Sequence, residues 1–226
     1  MKGWALSLLF FVPLTLGYRE VYEDTSGDPR KWWNNADETF SHIRYDRWLQ
    51  SPDKLKEKWR RAWLWKLPTS PGVVAEYGIG GGLLGEMLLT ELNATAYKGF
   101  DVADRQLDAA RTRLLSCCEK RFDLVRIDRE LRTEELRGVD AFVSQAVIQH
   151  FPSREYTLRF LDAINAAPSV RWIMLQVRET PRVGSSVLFA TSTTRRDLEQ
   201  RLLNFRVEWQ STKASNGYIF YVLLRQ

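Results

Sequence analysis

Three glycines at alternate positions, Gly78, Gly80 and Gly82, follow directly on the apolar run Val73-Val74-Ala75-Glu76-Tyr77. Glycine at the mouth of a helix lets the backbone turn tightly and brings helix N–H groups close to a ligand. Asp101 stands at the tip of the next predicted strand, Tyr97–Phe100. A carboxylate at such a strand tip can accept hydrogen bonds from both hydroxyls of a ribose. Glu76, two residues ahead of Gly78, is placed to hold a cationic amino group, directly or through water. Together these residues point to a ligand that carries a nucleoside and a positive charge.

A dinucleotide remains open as the ligand. Counting Gly-x-Gly-x-x-Gly from Gly78 places Leu83 at the third glycine, whereas counting from Gly80 places Gly85 there. Glu76 is no part of that fingerprint, and the chain lacks a Tyr-x-x-x-Lys pair for hydride transfer. Downstream, Ser144 and Gln145 end a further apolar run. His150 is a candidate general base, one of only two histidines. His42, beside Tyr45 and Asp46, is the weaker candidate. No metal-ligand spacing is read. Cys117 and Cys118 are adjacent, a poor geometry for a structural cross-link, and read as reduced residues in the last turn of a packed helix.

The elements that must position these residues alternate. Strands are predicted at Val73–Tyr77, Tyr97–Phe100, Phe122–Ile127, Val139–Ser144 and Val170–Val177. Helices are predicted at Leu83–Leu92, Asp104–Cys118 (Leu107, Ala110 and Leu114 inward), the polar stretch 129–137, and Ser153–Ala166. Thr194-Arg195-Arg196-Asp197 is a capping box opening a helix through Leu203. Strands Phe205–Gln210 and Tyr218–Leu224 close the chain around the Ala214–Gly217 turn. Alternation of this kind means β-α-β units, and so a doubly wound α/β sheet, mostly parallel, seven-stranded and Rossmann-like, with an antiparallel C-terminal strand.

The run Val73–Gly82 resembles the first motif of the class I S-adenosylmethionine-dependent methyltransferases, acidic-x-Gly-x-Gly-x-Gly, of the small-molecule type. Gly99-Phe100-Asp101-Val102-Ala103, with Leu107 and Ala110, is similar to the family's ribose-binding strand end and helix. Ile127-Asp128-Arg129 falls where the family has a carboxylate for the adenine amino group. Val139–Gln145, followed by Val147–Pro152, resembles the fourth-strand motif beside the methyl-transfer pocket. The resemblance covers about residues 70–226. It departs at the extra Gly81 and at Ala103, where Ser or Thr is frequent.

The resemblance implies a bound S-adenosyl-L-methionine, leaving as S-adenosyl-L-homocysteine. The residues implied to hold it are Glu76, Gly78, Gly80, Gly82, Asp101, Val102, Asp128, Arg129, Ser144 and Gln145. It implies in-line methyl transfer to an oxygen, rather than a nitrogen, of a small molecule or glycan. A histidine at the place of His150 is in this family more often packed than catalytic. An NAD(P)-dependent oxidoreductase and a non-catalytic S-adenosylmethionine-binding protein stand as alternatives.

The whole chain has 226 residues and a net charge of +5 from interspersed Arg and Lys, which reads as a solvated surface rather than a nucleic-acid footprint. Residues 1–17 read as a secretory signal: Lys2, an apolar run from Trp4 to Val12, then Pro13 and a small-residue end. The run is short for a bilayer span, which needs about 20 residues. An apolar element docked on a cytoplasmic domain is the competing reading, and Asn93-Ala94-Thr95 is a glycosylation sequon only if the signal operates. Residues 18–68 read as an N-terminal helical extension that lids the site. It would have helices at about Ala36–Leu49 and after Pro52, and it holds most of the nine Trp, including Trp32-Trp33. Residues 69–226 read as the ligand-binding domain.

Overall fold

A computed structural model describes residues 52–127, 129–151, 153–179, 192–212 and 217–226. The predicted signal, the helix at Ala36–Leu49, Trp32-Trp33, His42 and Asp128 all lie outside the described residues.

The strands are β1 (Val73–Tyr77), β2 (Ala96–Asp101), β3 (Arg121–Arg126), β4 (Ala141–Ser144), β5 (Trp172–Arg178), β6 (Phe205–Gln210) and β7 (Tyr218–Arg225). The described helices are α1 (Pro52–Ala62), α2 (Leu83–Thr90), α3 (Asp104–Cys117), α4 (Arg154–Ala166) and α5 (Arg195–Arg201). The strands form one sheet in the order β3-β2-β1-β4-β5-β7-β6. Pairing is parallel from β3 through β5. Strand β7 runs antiparallel to both β5 and β6. The fold is therefore a Rossmann-like α/β sheet with a reversed strand inserted near one edge.

The sheet carries a core on each face, which is why its central strands read as unbroken apolar runs. On one face Ala75, Tyr77, Phe142, Ile173, Leu175 and Val177 pack with Phe160, Leu161 and Ile164 of α4. On the other, Val74, Val143 and Met174 pack with Met87 and Leu88 of α2, Leu114 of α3, and Trp59 and Trp63 from α1 and its exit. Ser153 caps α4 by accepting from the Tyr156 N–H at 3.1 Å. The capping box of α5 forms as expected, with Asp197 accepting from Thr194 N–H at 2.9 Å and from its hydroxyl at 2.8 Å. Arg154 of α4 forms an ion pair with that same Asp197 and so ties the two helices together.

Three expectations are corrected. The stretch 129–137 forms only a 3-10 turn at Thr133–Leu136; Gly138, at φ 72°, then turns the chain before a helix can propagate. Strand β4 begins at Ala141 rather than Val139. The Val139 N–H is taken by the Leu136 carbonyl in the preceding turn, and that of Asp140 by the Val73 carbonyl. Helix α2 stops at Thr90 because Asn93, at φ 57°, supplies the left-handed residue of a helix stop, with Ala94 N–H returning to Leu88 O at 3.1 Å. The sequon asparagine thus terminates a helix and accepts from Lys120 Nζ at 2.6 Å. No described helix is long and apolar enough to cross a membrane.

Candidate functional site

From β1 the chain moves outward to β2 and β3 on one side and to β4 and β5 on the other. The carboxyl ends of β1 and β4 therefore form a topological switch point, where open α/β sheets bind ligands. Gly78, Gly80 and Gly82 lie there with φ of 77°, 49° and 75°. The need for glycine is steric as well as conformational. A Cβ on Gly78 would overlap the Val147 side chain, and one on Gly82 would come within 2.9 Å of Ala110 Cβ on α3. The loop is thus clamped between the segment after β4 and helix α3.

Asp101 holds this loop to the tip of β2. Its Oδ2 accepts from the Gly80 N–H at 2.9 Å and its Oδ1 from the Ala103 N–H at 3.0 Å. A carboxylate has about four lone-pair sites, so acceptor capacity remains for ligand hydroxyls. Val102 is half-buried in the turn between these contacts.

Glu76 is buried, 3% exposed, and accepts from the Tyr97 hydroxyl at 2.7 Å. Burial pushes its carboxyl up to about 8, against the opposing pull of that hydrogen bond, and the neighbouring Asp101 charge adds to the rise. At neutral pH the group is mostly protonated. A cation arriving beside it would reverse that, since an opposite charge favours the ionised form.

Ser144 and Tyr77 lock the ends of β4 and β1 together, the Ser144 hydroxyl donating to the Tyr77 carbonyl at 3.1 Å. Gln145 is half-buried just beyond. Ala146 follows at φ 57°, a left-handed conformation costing roughly 1–2 kcal/mol for a residue with a Cβ. That strained turn drives Val147 onto Gly78. His150 ends the 3-10 turn Ile148–His150, which packs against β5, and is half-buried. Arg129 directs its guanidinium to Glu135 at 2.7 Å, while its carbonyl accepts from Tyr156. The structure therefore brings Glu76, the three glycines, Asp101, Val102, Ser144 and Gln145 to one edge, and gives Arg129 a surface ion pair.

Sequence reasoning missed several residues. Tyr97 both holds Glu76 and packs its ring against Gly85, where a Cβ would lie 2.6 Å from it. Gln149 in the 3-10 turn after β4, and Gln176 and Arg178 at the end of β5, are buried polar residues. Only Arg178 left a signal, a charge closing the apolar run of β5. Among the described residues no group of three or more His, Cys, Asp or Glu is placed to hold a metal.

No protein-family model and no curated protein sequence matches this chain. Solved structures do. Magnesium protoporphyrin IX methyltransferase from Synechocystis PCC 6803, solved with bound SAH, superposes with a TM-score of 0.63 at 14% identity, covering 88% of this chain and 100% of that one. LaPhzM gives 0.64 at 15% identity, covering 91% of this chain and 64% of the other. Mitomycin 7-O-methyltransferase gives 0.57 at 13%, covering 92% and 60%. At these identities the likeness establishes the fold, the seven-stranded sheet with its reversed β7.

Proposed function

We propose that this chain binds S-adenosylmethionine at the β1–β4 switch point and transfers its methyl group to an oxygen of a small molecule. The observation that carries the reading is the left-handed glycine loop tied by Gly80 N–H to Asp101, with a buried Glu76 beneath it that pairs with no cation among the described residues. A ligand with ribose hydroxyls and an ammonium group completes both carboxylates. The structural neighbours solved with SAH or SAM support the same ligand.

Asp101 would accept from the ribose, the glycine backbone would let the ligand approach the loop closely, and Glu76 would hold the ammonium. When bound, S-adenosylmethionine supplies an electrophilic methyl on a sulfonium. The protein's work is alignment and exclusion of water. A hydroxyl acceptor sheds its proton to a base as the new C–O bond forms and the C–S bond breaks; His150 is the candidate base.

Calorimetric titration with S-adenosylhomocysteine and with NADH tests this. Binding of the first below 1 mM (roughly the −4 kcal/mol level) and not of the second is expected. The reverse pattern would support the oxidoreductase. Binding without turnover of any hydroxylated acceptor would favour a non-catalytic cofactor-binding protein.

A further inference from the structure

Arg178 ends β5 and is 5% exposed, yet its Nε has no hydrogen-bond partner. Side chains alternate along β5. Ile173, Leu175 and Val177 enter one core, and Trp172 and Met174 the other, so Gln176 and Arg178 share the Trp172 face. The nearest acid in sequence, Glu179, falls on the opposite face, where it accepts from the Tyr221 hydroxyl at 2.7 Å and from the Arg195 N–H at 3.3 Å. The buried Gln176 Oε1 likewise has no partner. An arginine keeps its charge, and an unpaired buried charge is costly. Among the described residues no acid is paired with it, and an anion arriving at this face would offset the charge.

Glu76 lies on this same face, because Val74 packs into the Trp172-side core while Ala75 and Tyr77 pack into the other. Strands β1 and β5 are separated by β4 alone, and Glu76 is level with Met174 through Val143, so Arg178 lies about 10 Å across the sheet and, four residues on, about 13 Å further toward the carboxyl ends. Beside Arg178, the half-buried Tyr218 and Phe220 pair in register with Arg178 and Gln176. The Arg178 guanidinium is 5.7 Å from the Tyr218 ring centre.

We propose that the methyl acceptor is a flat apolar carboxylic acid whose carboxylate is taken by Arg178, with its body along Tyr218 and Phe220. This rests on the reading of the switch point as the methyl-donor site. A carboxylate held by a guanidinium is an anchor and a poor nucleophile. The methylated oxygen is therefore a different atom, displaced toward Glu76 and the glycine loop.

The test uses the full chain saturated with S-adenosylhomocysteine, titrated with benzoate and with its neutral isostere benzamide. Benzoate binds the wild type and binds Arg178→Met roughly tenfold to hundredfold more weakly. Benzamide distinguishes the two proteins little. Arg178→Met keeps S-adenosylhomocysteine affinity and melts no lower than the wild type, because it removes an uncompensated charge. Three results would overturn the proposal: benzoate failing to bind the wild type at millimolar concentration, equal benzoate binding by both proteins, or a large loss of stability in Arg178→Met. A conservative Arg178→Lys variant, which keeps the charge without the fork, retains partial benzoate binding. If S-adenosylhomocysteine does not bind the wild type while the benzoate difference persists without it, the donor reading falls and the anion subsite stands.

Discussion

Replacing Glu76 with Gln keeps an oxygen for the Tyr97 hydroxyl and removes the proton that this buried carboxyl must otherwise lose. In the folded chain the group sits near 8, against an ordinary value of 4.5. The unfolded chain therefore gives up this proton first, the native state binds more protons between those values, and stability falls as pH rises through that window. At about 1.36 kcal/mol per pH unit, the loss is roughly 3 kcal/mol by pH 7 and near 5 kcal/mol above pH 8. The amide of the variant buries an N–H₂ that costs about 1–2 kcal/mol at any pH. Glu76→Gln is thus slightly less stable than the wild type at pH 5 and more stable by roughly 3 kcal/mol at pH 8.5. Urea unfolding at pH 5, 7 and 8.5, with a constant dependence on denaturant, reads the difference directly. The same variant loses S-adenosylhomocysteine affinity, and wild-type binding at pH 7 releases a proton, visible as a buffer-dependent heat. Parallel stability profiles of the two proteins across this range would refute the reasoning.

Gly78→Ala combines a left-handed backbone with overlap against Val147, and denaturation should show a loss of roughly 2–5 kcal/mol. Asp101→Asn leaves one acceptor for two backbone N–H groups; its stability drops by roughly 1–2 kcal/mol, and S-adenosylhomocysteine binding measured calorimetrically weakens more than about tenfold. Burial pushes the Cys117 thiol up to about 12, helped by Cys118 with its Sγ 3.0 Å away. Iodoacetamide at pH 8, followed by mass spectrometry, therefore modifies Cys117 more than about a hundredfold more slowly than an exposed thiol. With a hydroxylated acceptor, His150→Gln lowers kcat by roughly a hundredfold or more while leaving S-adenosylhomocysteine affinity unchanged. An unchanged kcat would remove His150 as the base.

The strand and helix alternation, the glycine loop and the tip carboxylate Asp101 follow from the residue order alone. Each of these is a local pattern: an apolar run of strand length, a helical period, and a residue type that a turn requires. The bounds of β1, Val73–Tyr77, were legible for that reason, and so was the Thr194 cap. Where local pattern was weak, at 129–137, a turn replaced a helix, because a short polar segment before Gly138 has too little apolar surface to hold one. Which side chains stay available to a ligand is set by packing across the fold. Arg129 belongs to the adenine-side motif in sequence yet pairs with Glu135. Ser144 is at the site yet holds Tyr77. Arg178, distant in sequence from every motif, is buried with no acid paired to it among the described residues, strand alternation having sent Glu179 to the other face. Hydrogen-bond partnership and burial are set by contacts across strands, and no spacing along one chain encodes them.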